Sequence, residues 1–98
     1  MRLFLPSLAL LSLSACVTAS PPDSITERPT GGECNAAAVQ NHVGHAATTT
    51  MGEAILTESG ARRLRWGAPD SAWTMDYRTD RVNVRYDESL TITAITCG

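Results

Sequence analysis

The placement of the cysteines constrains the fold more than any other feature of this chain. There are 3 of them in 98 residues, at positions 16, 34 and 97. An odd number is awkward for an exported protein, because one thiol is left without a partner. Cys34 and Cys97 stand at the two ends of everything that looks folded, while Cys16 lies well before it. If Cys16 is engaged elsewhere, the other two can pair and close one long loop; the alternative is two free buried thiols. An oxidising compartment permits such a bond. The chain-entropy model gives it about 4 kcal/mol, a large share of the net stability of one small domain, which is all this length allows.

The front of the chain supplies a use for Cys16. Met1-Arg2 is a short positive start, and Leu3 to Leu13 is mostly leucine and alanine. That run is too short to span a bilayer permanently, but it has the form of a secretory signal. Leu13-Ser14-Ala15-Cys16 matches the bacterial lipobox, in which the cysteine is lipidated and becomes the new N-terminus. The expectation is a signal peptide over 1–15 and a membrane anchor through lipid on Cys16. Val17, in place of an aspartate, is compatible with sorting to the outer membrane, facing the periplasm or the cell surface. Residues 16–33 are rich in proline, glycine and small polar side chains and read as a flexible tether. Fully extended it reaches about 55 Å at roughly 3.3 Å per residue.

Residues 34–98 read as the folded domain. Cys34 to Val43 predicts a short helix, with alanines at 36, 37 and 38, Asn35 as a cap and Gly44 as the stop. A main helix is predicted from Thr50, where Thr50-Met51-Gly52-Glu53 fits a capping box, to a stop at Gly60. Ile55 and Leu56 are its core contacts, and Gly52 weakens it by up to about 1 kcal/mol. Strands are predicted at Arg63–Trp66, at Arg81–Tyr86 and at Leu90–Thr96. In the second, Val82, Val84 and Tyr86 alternate with Arg81, Asn83 and Arg85, the period of a half-buried strand. Asp87-Glu88-Ser89 turns it into the third, so those two pair antiparallel. The expected class is α+β: one small domain, a main helix and a short N-terminal helix on a small mixed β-sheet.

Between the first two of these strands runs a long connection, Gly67 to Asp80. A connection of that length without regular structure is more often functional than idle. It carries Trp73 and Met75 among charged residues, and large apolar side chains on a loop are usually offered to a partner. The polar face of the following strand can carry Arg81 and Asn83 back under it as braces. The plainer alternatives are that Trp73 and Met75 fold inward as core and that Arg81 is an ordinary solvated charge.

Trp73-Thr74-Met75-Asp76-Tyr77-Arg78, followed by Arg81-Val82-Asn83-Val84, resembles the reactive loop and following strand of the potato inhibitor I superfamily of serine protease inhibitors. Val43-Gly44-His45 is similar to the Val-Gly-Lys that precedes the helix there. Cys34 and the closing Cys97-Gly98 resemble a microbial branch, peptidase inhibitor family 78, which includes bacterial lipoproteins. The resemblance implies an inhibitor that occupies the cleft of a serine protease as a rigid, substrate-like loop. Met75-Asp76 is then the bond offered, with Met75 in the specificity pocket, Trp73 and Thr74 before it, and Tyr77 and Arg78 after it. Arg81 matches a position that braces Thr74 and Asp76. Asn83 departs from relatives that carry a second arginine there, which implies a softer loop. Methionine suits apolar pockets, and so subtilisin-, chymotrypsin- or elastase-like targets rather than trypsin. The rival reading is a structural or protein-binding surface lipoprotein that keeps this fold without inhibiting.

Other functions find little support. The net charge is −2 with no basic cluster, which argues against nucleic acid. His42 and His45 are read as solvent-facing, with Gly44 between them and no ligand set for a metal. Asp70, Asp76, Asp80, Asp87 and Glu88 lack the spacing of a calcium loop. Neither a Gly-rich phosphate loop nor a plausible Ser-His-Asp set is present on so small a frame. The expectation is a monomer with no cofactor and no enzymatic activity.

Overall fold

Alternation dictates the sheet. Leu64 and Trp66 of one segment and Val82, Val84 and Tyr86 of another cannot be exposed together without a large apolar surface, so the two segments pair and turn one face inward. A computed structural model describes this arrangement for residues 25–28 and 30–98. The leader 1–15, Cys16 and the tether as far as residue 24 lie outside the described residues.

Strands β1 (Ile25–Glu27), β2 (Arg63–Gly67), β3 (Arg81–Tyr86) and β4 (Ile92–Cys97) form a 4-stranded sheet in sequential order. β1 and β4 pair antiparallel to their neighbours, while β2 and β3 run parallel, so the sheet is mixed. β1 lies inside the stretch read as tether. It is a three-residue edge strand, too short for any periodic signal, and a salt bridge from Glu27 to Arg63 at 2.6 Å joins it to β2.

The helices cover one face. Helix α1 (Thr49–Ser59) begins earlier than expected, and its cap is Thr48 rather than Thr50. Thr48 is extended, and its hydroxyl accepts from the Met51 amide at 3.1 Å. Any of three consecutive threonines can cap; the earliest adds a hydrogen bond from Gly52 N to Thr48 O at 2.9 Å. The capping box with Glu53 is therefore not formed. Gly60 ends the helix in the left-handed conformation, φ 74°, as predicted. Gly52, unfavourable for the helix alone, lets α1 approach the sheet: a Cβ there would stand 2.6 Å from Trp66 Cζ2.

The first predicted helix is a 3₁₀ helix over Ala36–His42. So short a segment gains little from α-helical nucleation, and it is tied at both ends. Cys34 is disulfide-bonded to Cys97, and Gln40 Nε2 donates to Ile95 O of β4 at 2.9 Å. Asn35 occupies the cap position without a side-chain cap bond. Val39, Ala47, Ile55, Leu56 and Ala61 pack on Leu64, Trp66, Val82, Val84, Tyr86, Ile92 and Ile95 as one core. Trp66 and Tyr86 meet edge to face with centroids 5.9 Å apart.

β4 starts later than Leu90 because the turn is longer than Asp87–Ser89. Leu90 has φ 58°, and Asp87 Oδ1 accepts from the amides of Ser89 and Thr91. Ile92 and Ile95 are three apart yet both buried. A bulge reconciles them: Tyr86 pairs with Ile92 and Arg85 with Ala94, leaving Thr93 extra.

Candidate functional site

The polar face of the sheet is not a solvent face. Arg81 and Asn83 are 6% and 4% exposed, under the connection between β2 and β3 and under Gly98. The parallel register stacks Arg63 beside Arg81, Arg65 beside Asn83 and Gly67 beside Arg85. Burying guanidinium groups is costly unless acceptors surround them. The loop and the chain beyond β4 supply those acceptors.

At the crown of the loop Met75 is 100% exposed and Tyr77 is 73% exposed, while the residues beside them are tied down. Arg81 Nη2 donates to the backbone carbonyl of Asp76, and Arg81 Nη1 lies 3.5 Å from its carboxylate. The Thr74 hydroxyl donates to the same carboxylate. Arg65 reaches Thr74 Oγ1 at 3.5 Å and Asp76 Oδ1 at 4.0 Å. Met75 thus stands between two residues anchored to arginines of adjacent strands.

The Asn83 side chain makes no hydrogen bond to the loop. Its Oδ1 accepts from Arg65 Nε at 3.1 Å, and its Nδ2 donates to Gly98 O at 3.0 Å. Arg81 Nε donates to the same Gly98 oxygen at 2.7 Å, and Gly98 N donates to Arg81 O at 3.0 Å. Asn83 therefore orients Arg65, and Gly98 fixes both Arg81 and Asn83. The second arginine under the loop comes from β2.

The descending side of the loop is held by backbone. Cys34 N donates to Thr79 O at 2.8 Å, and Asp80 O accepts from Arg62 N and Arg63 N. The disulfide thus holds one partner of the loop, Cys34, beside the strand that leads to the other anchor, Gly98. Arg78 Nε donates to Asp80 at 3.1 Å. That bond lowers the Asp80 pKa and raises that of Arg78.

The Asp76 carboxyl is held below the ordinary aspartate range, first by the Thr74 hydroxyl and then by backbone and by Arg81. Burial and the neighbouring Arg81 lower the Arg65 pKa, which Asp76 opposes. The loop carboxylate and the two guanidiniums are thereby coupled.

Trp73 differs from the sequence expectation of an apolar side chain on display. It is half-buried against the sheet, with the guanidinium carbons of Arg85 and Arg65 at 3.6 and 4.5 Å from its ring. Sequence reasoning did not single out Arg65 or Arg85. The available signal was Arg63-Leu64-Arg65-Trp66-Gly67, which alternates as Arg81–Tyr86 does and puts arginines on the same face once the strands run parallel.

His42 is a correction. It is buried, not solvent-facing: Nε2 meets the Glu58 carboxylate of α1, and Nδ1 lies 3.4 Å from His45 Nδ1. The turn from His45 N to His42 O, 3.0 Å, brings the two rings together. Among the described residues no group of three His, Cys, Asp or Glu side chains is placed to hold a metal.

Two helices on a four-stranded mixed sheet, one disulfide and an exposed loop braced by arginines make up a small α+β domain. The chain belongs to the peptidase inhibitor I78 family, whose model matches residues 34–98. It is a peptidase inhibitor by family, not an enzyme. Among solved structures it is similar to the elastase inhibitor AFUEI in a crystal form, at 24% identity and a TM-score of 0.49. That match covers 60% of this chain and 81% of the other. No curated protein matches the chain.

Proposed function

We propose that this protein inhibits serine proteases by presenting Trp73–Arg78 as a substrate-like loop, with Met75-Asp76 at the point of attack. The observation that carries the reading is the contrast at the crown: Met75 is fully exposed while Thr74 and Asp76 on either side are bound to Arg65 and Arg81. A protease reads an extended chain through its backbone and one deep pocket. A loop already held in that shape loses little entropy on binding. If the bond is cut, the braces keep the new amine beside the acyl group, and religation competes with release.

The exposed thioether directs the loop to apolar specificity pockets, hence to subtilisin-, chymotrypsin- or elastase-like enzymes. The rival reading, a structural or protein-binding surface lipoprotein, would be favoured if Asn83 left the loop without a second arginine. Arg65, oriented by Asn83, offers the loop a second guanidinium from β2 and so favours inhibition. Titration of subtilisin, chymotrypsin and elastase with the protein tests the reading. The expected outcome is stoichiometric loss of activity of at least one; digestion of the loop without inhibition would contradict it. Met75→Lys should move inhibition toward trypsin-like enzymes, and an unchanged target range would remove Met75 from the specificity pocket.

We further propose that the domain acts at the bacterial cell envelope, held to a membrane by lipid on Cys16 and facing the periplasm or the surface. Leu13-Ser14-Ala15-Cys16 supports this, as does the pairing of the other two cysteines. Mass spectrometry of the N-terminal peptide from membranes is the check: a diacylglyceryl adduct at Cys16 is expected, and a free thiol there would overturn it.

A further inference from the structure

Trp73 is the first residue of the loop that the inhibitory reading gives to the protease, yet its ring is turned onto the protein's own sheet. Arg85 of β3 places its guanidinium carbon 3.6 Å from the ring centroid, and Arg65 of β2 does so at 4.5 Å. Both distances are inside the range of cation–π attraction, for which tryptophan is the best face. The ring rests on Gly67: a Cβ there would meet Trp73 Cζ2 at 2.4 Å and Arg85 Cγ at 3.0 Å. Arg85 also donates to Ser71 O at 3.5 Å, two residues before the tryptophan. The indole Nε1 is buried and has no hydrogen-bond partner. An orphaned donor is unfavourable, so the side chain is not placed there by its polar atom. The contacts that hold it are the two cations and the flat seat at Gly67.

We propose that Trp73 is a positioning residue, clamped by Arg85 and Arg65 over Gly67, that sets the approach of the loop to Met75. The clamp shares Arg65 with the brace on Thr74 and Asp76. Removing the ring therefore frees the ascending side of the loop and also one wall of the Arg65 site. The chain carries this device where Asn83 supplies no hydrogen bond to the loop.

The inference rests on the inhibitory reading only for its effect on a protease, so it is tested first in the free protein. Backbone relaxation and amide exchange of Thr74–Asp76 are measured in the full chain and in Trp73→Ala, Arg85→Gln, Gly67→Ala and Trp73→Phe. The first three should all loosen those amides, by about tenfold in exchange for Trp73→Ala, with the thermal midpoint of Gly67→Ala close to that of the parent. Gly67→Ala and Arg85→Gln matter because a change on the sheet then acts on the loop. Trp73→Phe keeps an aromatic face, drops the orphaned donor, and should retain the parent's loop order. Cleavage at Met75-Asp76 by chymotrypsin should accelerate in the same order. Loop order unchanged in Trp73→Ala, or changed there but not in Gly67→Ala and Arg85→Gln, would overturn the clamp. Loosened amides in a protein that inhibits no protease would uphold the clamp and overturn the inhibitory reading.

Discussion

On one face of the sheet Leu64, Trp66, Val82, Val84 and Tyr86 meet the helices; on the other, Arg63, Arg65, Arg81 and Arg85 meet the loop, and Asn83 joins Arg65 to Gly98. The side chains come from the same strands and alternate along them. On the helical face the contacts are apolar and non-directional, so shape and volume decide stability. On the loop face nearly every contact is a directed one, from a guanidinium or amide to a carbonyl, carboxylate or ring. The first face decides whether the domain folds. The second decides where one exposed methionine is held.

The sharpest way to break this division is to cut each face separately. Leu64 is fully buried, and Leu64→Ala should cost about 2–5 kcal/mol in denaturant unfolding while leaving the loop amides ordered below the transition. Arg81→Ala removes the contacts to Asp76 and Gly98, and should speed cleavage at Met75-Asp76 by about 10- to 100-fold. Stability should fall less than for Leu64→Ala. If both variants loosened the loop equally, the two faces would be one cooperative unit and the division would fail.

Gly52→Ala probes the helical face at the point where local preference and packing oppose each other. Alanine favours a helix interior by up to about 1 kcal/mol, but here its Cβ would press on Trp66. Overpacking costs typically about 1–3 kcal/mol, so the net change should be a loss of about 1 kcal/mol. A gain in thermal stability would show that Trp66 yields freely.

The smallest expected effect is electrostatic. The Asp76 pKa is depressed, so its contribution to loop order is complete above the ordinary aspartate value of about 3.9 and is lost as pH falls through the depressed one. Loop order should therefore persist in acid that protonates ordinary aspartates and fade only below it. Carboxyl titration by NMR checks this. Thr74→Val should raise the Asp76 midpoint, since the threonine hydroxyl is the largest cause; an unmoved midpoint would assign the shift elsewhere.

Much of the first face was legible in the sequence. Arg81–Tyr86 alternates cleanly and forms a strand with those bounds, and Gly60 stops the main helix. The cap at Thr48 was not, because three adjacent threonines offer equal local chemistry and only the tertiary position of the helix chooses among them. Of the second face, Arg81 is expected under both Thr74 and Asp76; it bonds Asp76, and Thr74 falls to Arg65. Arg65 was not legible, since its role depends on the parallel register that sets it beside Asn83, a long-range pairing with no local mark. A lone aromatic in an aperiodic loop such as Trp73 carries no sign in the sequence of the two cations that fold over it. His42 needed Glu58 of another helix to be understood.

The central claim is that the loop is held in a protease-ready shape by the sheet beneath it. The most direct measurement compares chymotrypsin cleavage of Met75-Asp76 in the protein with cleavage of a linear peptide carrying residues 71–80. The protein should be cut slower by orders of magnitude while occupying the enzyme, and the cut form should re-form the intact bond. Cleavage of both at similar rates, with no religation, would contradict it.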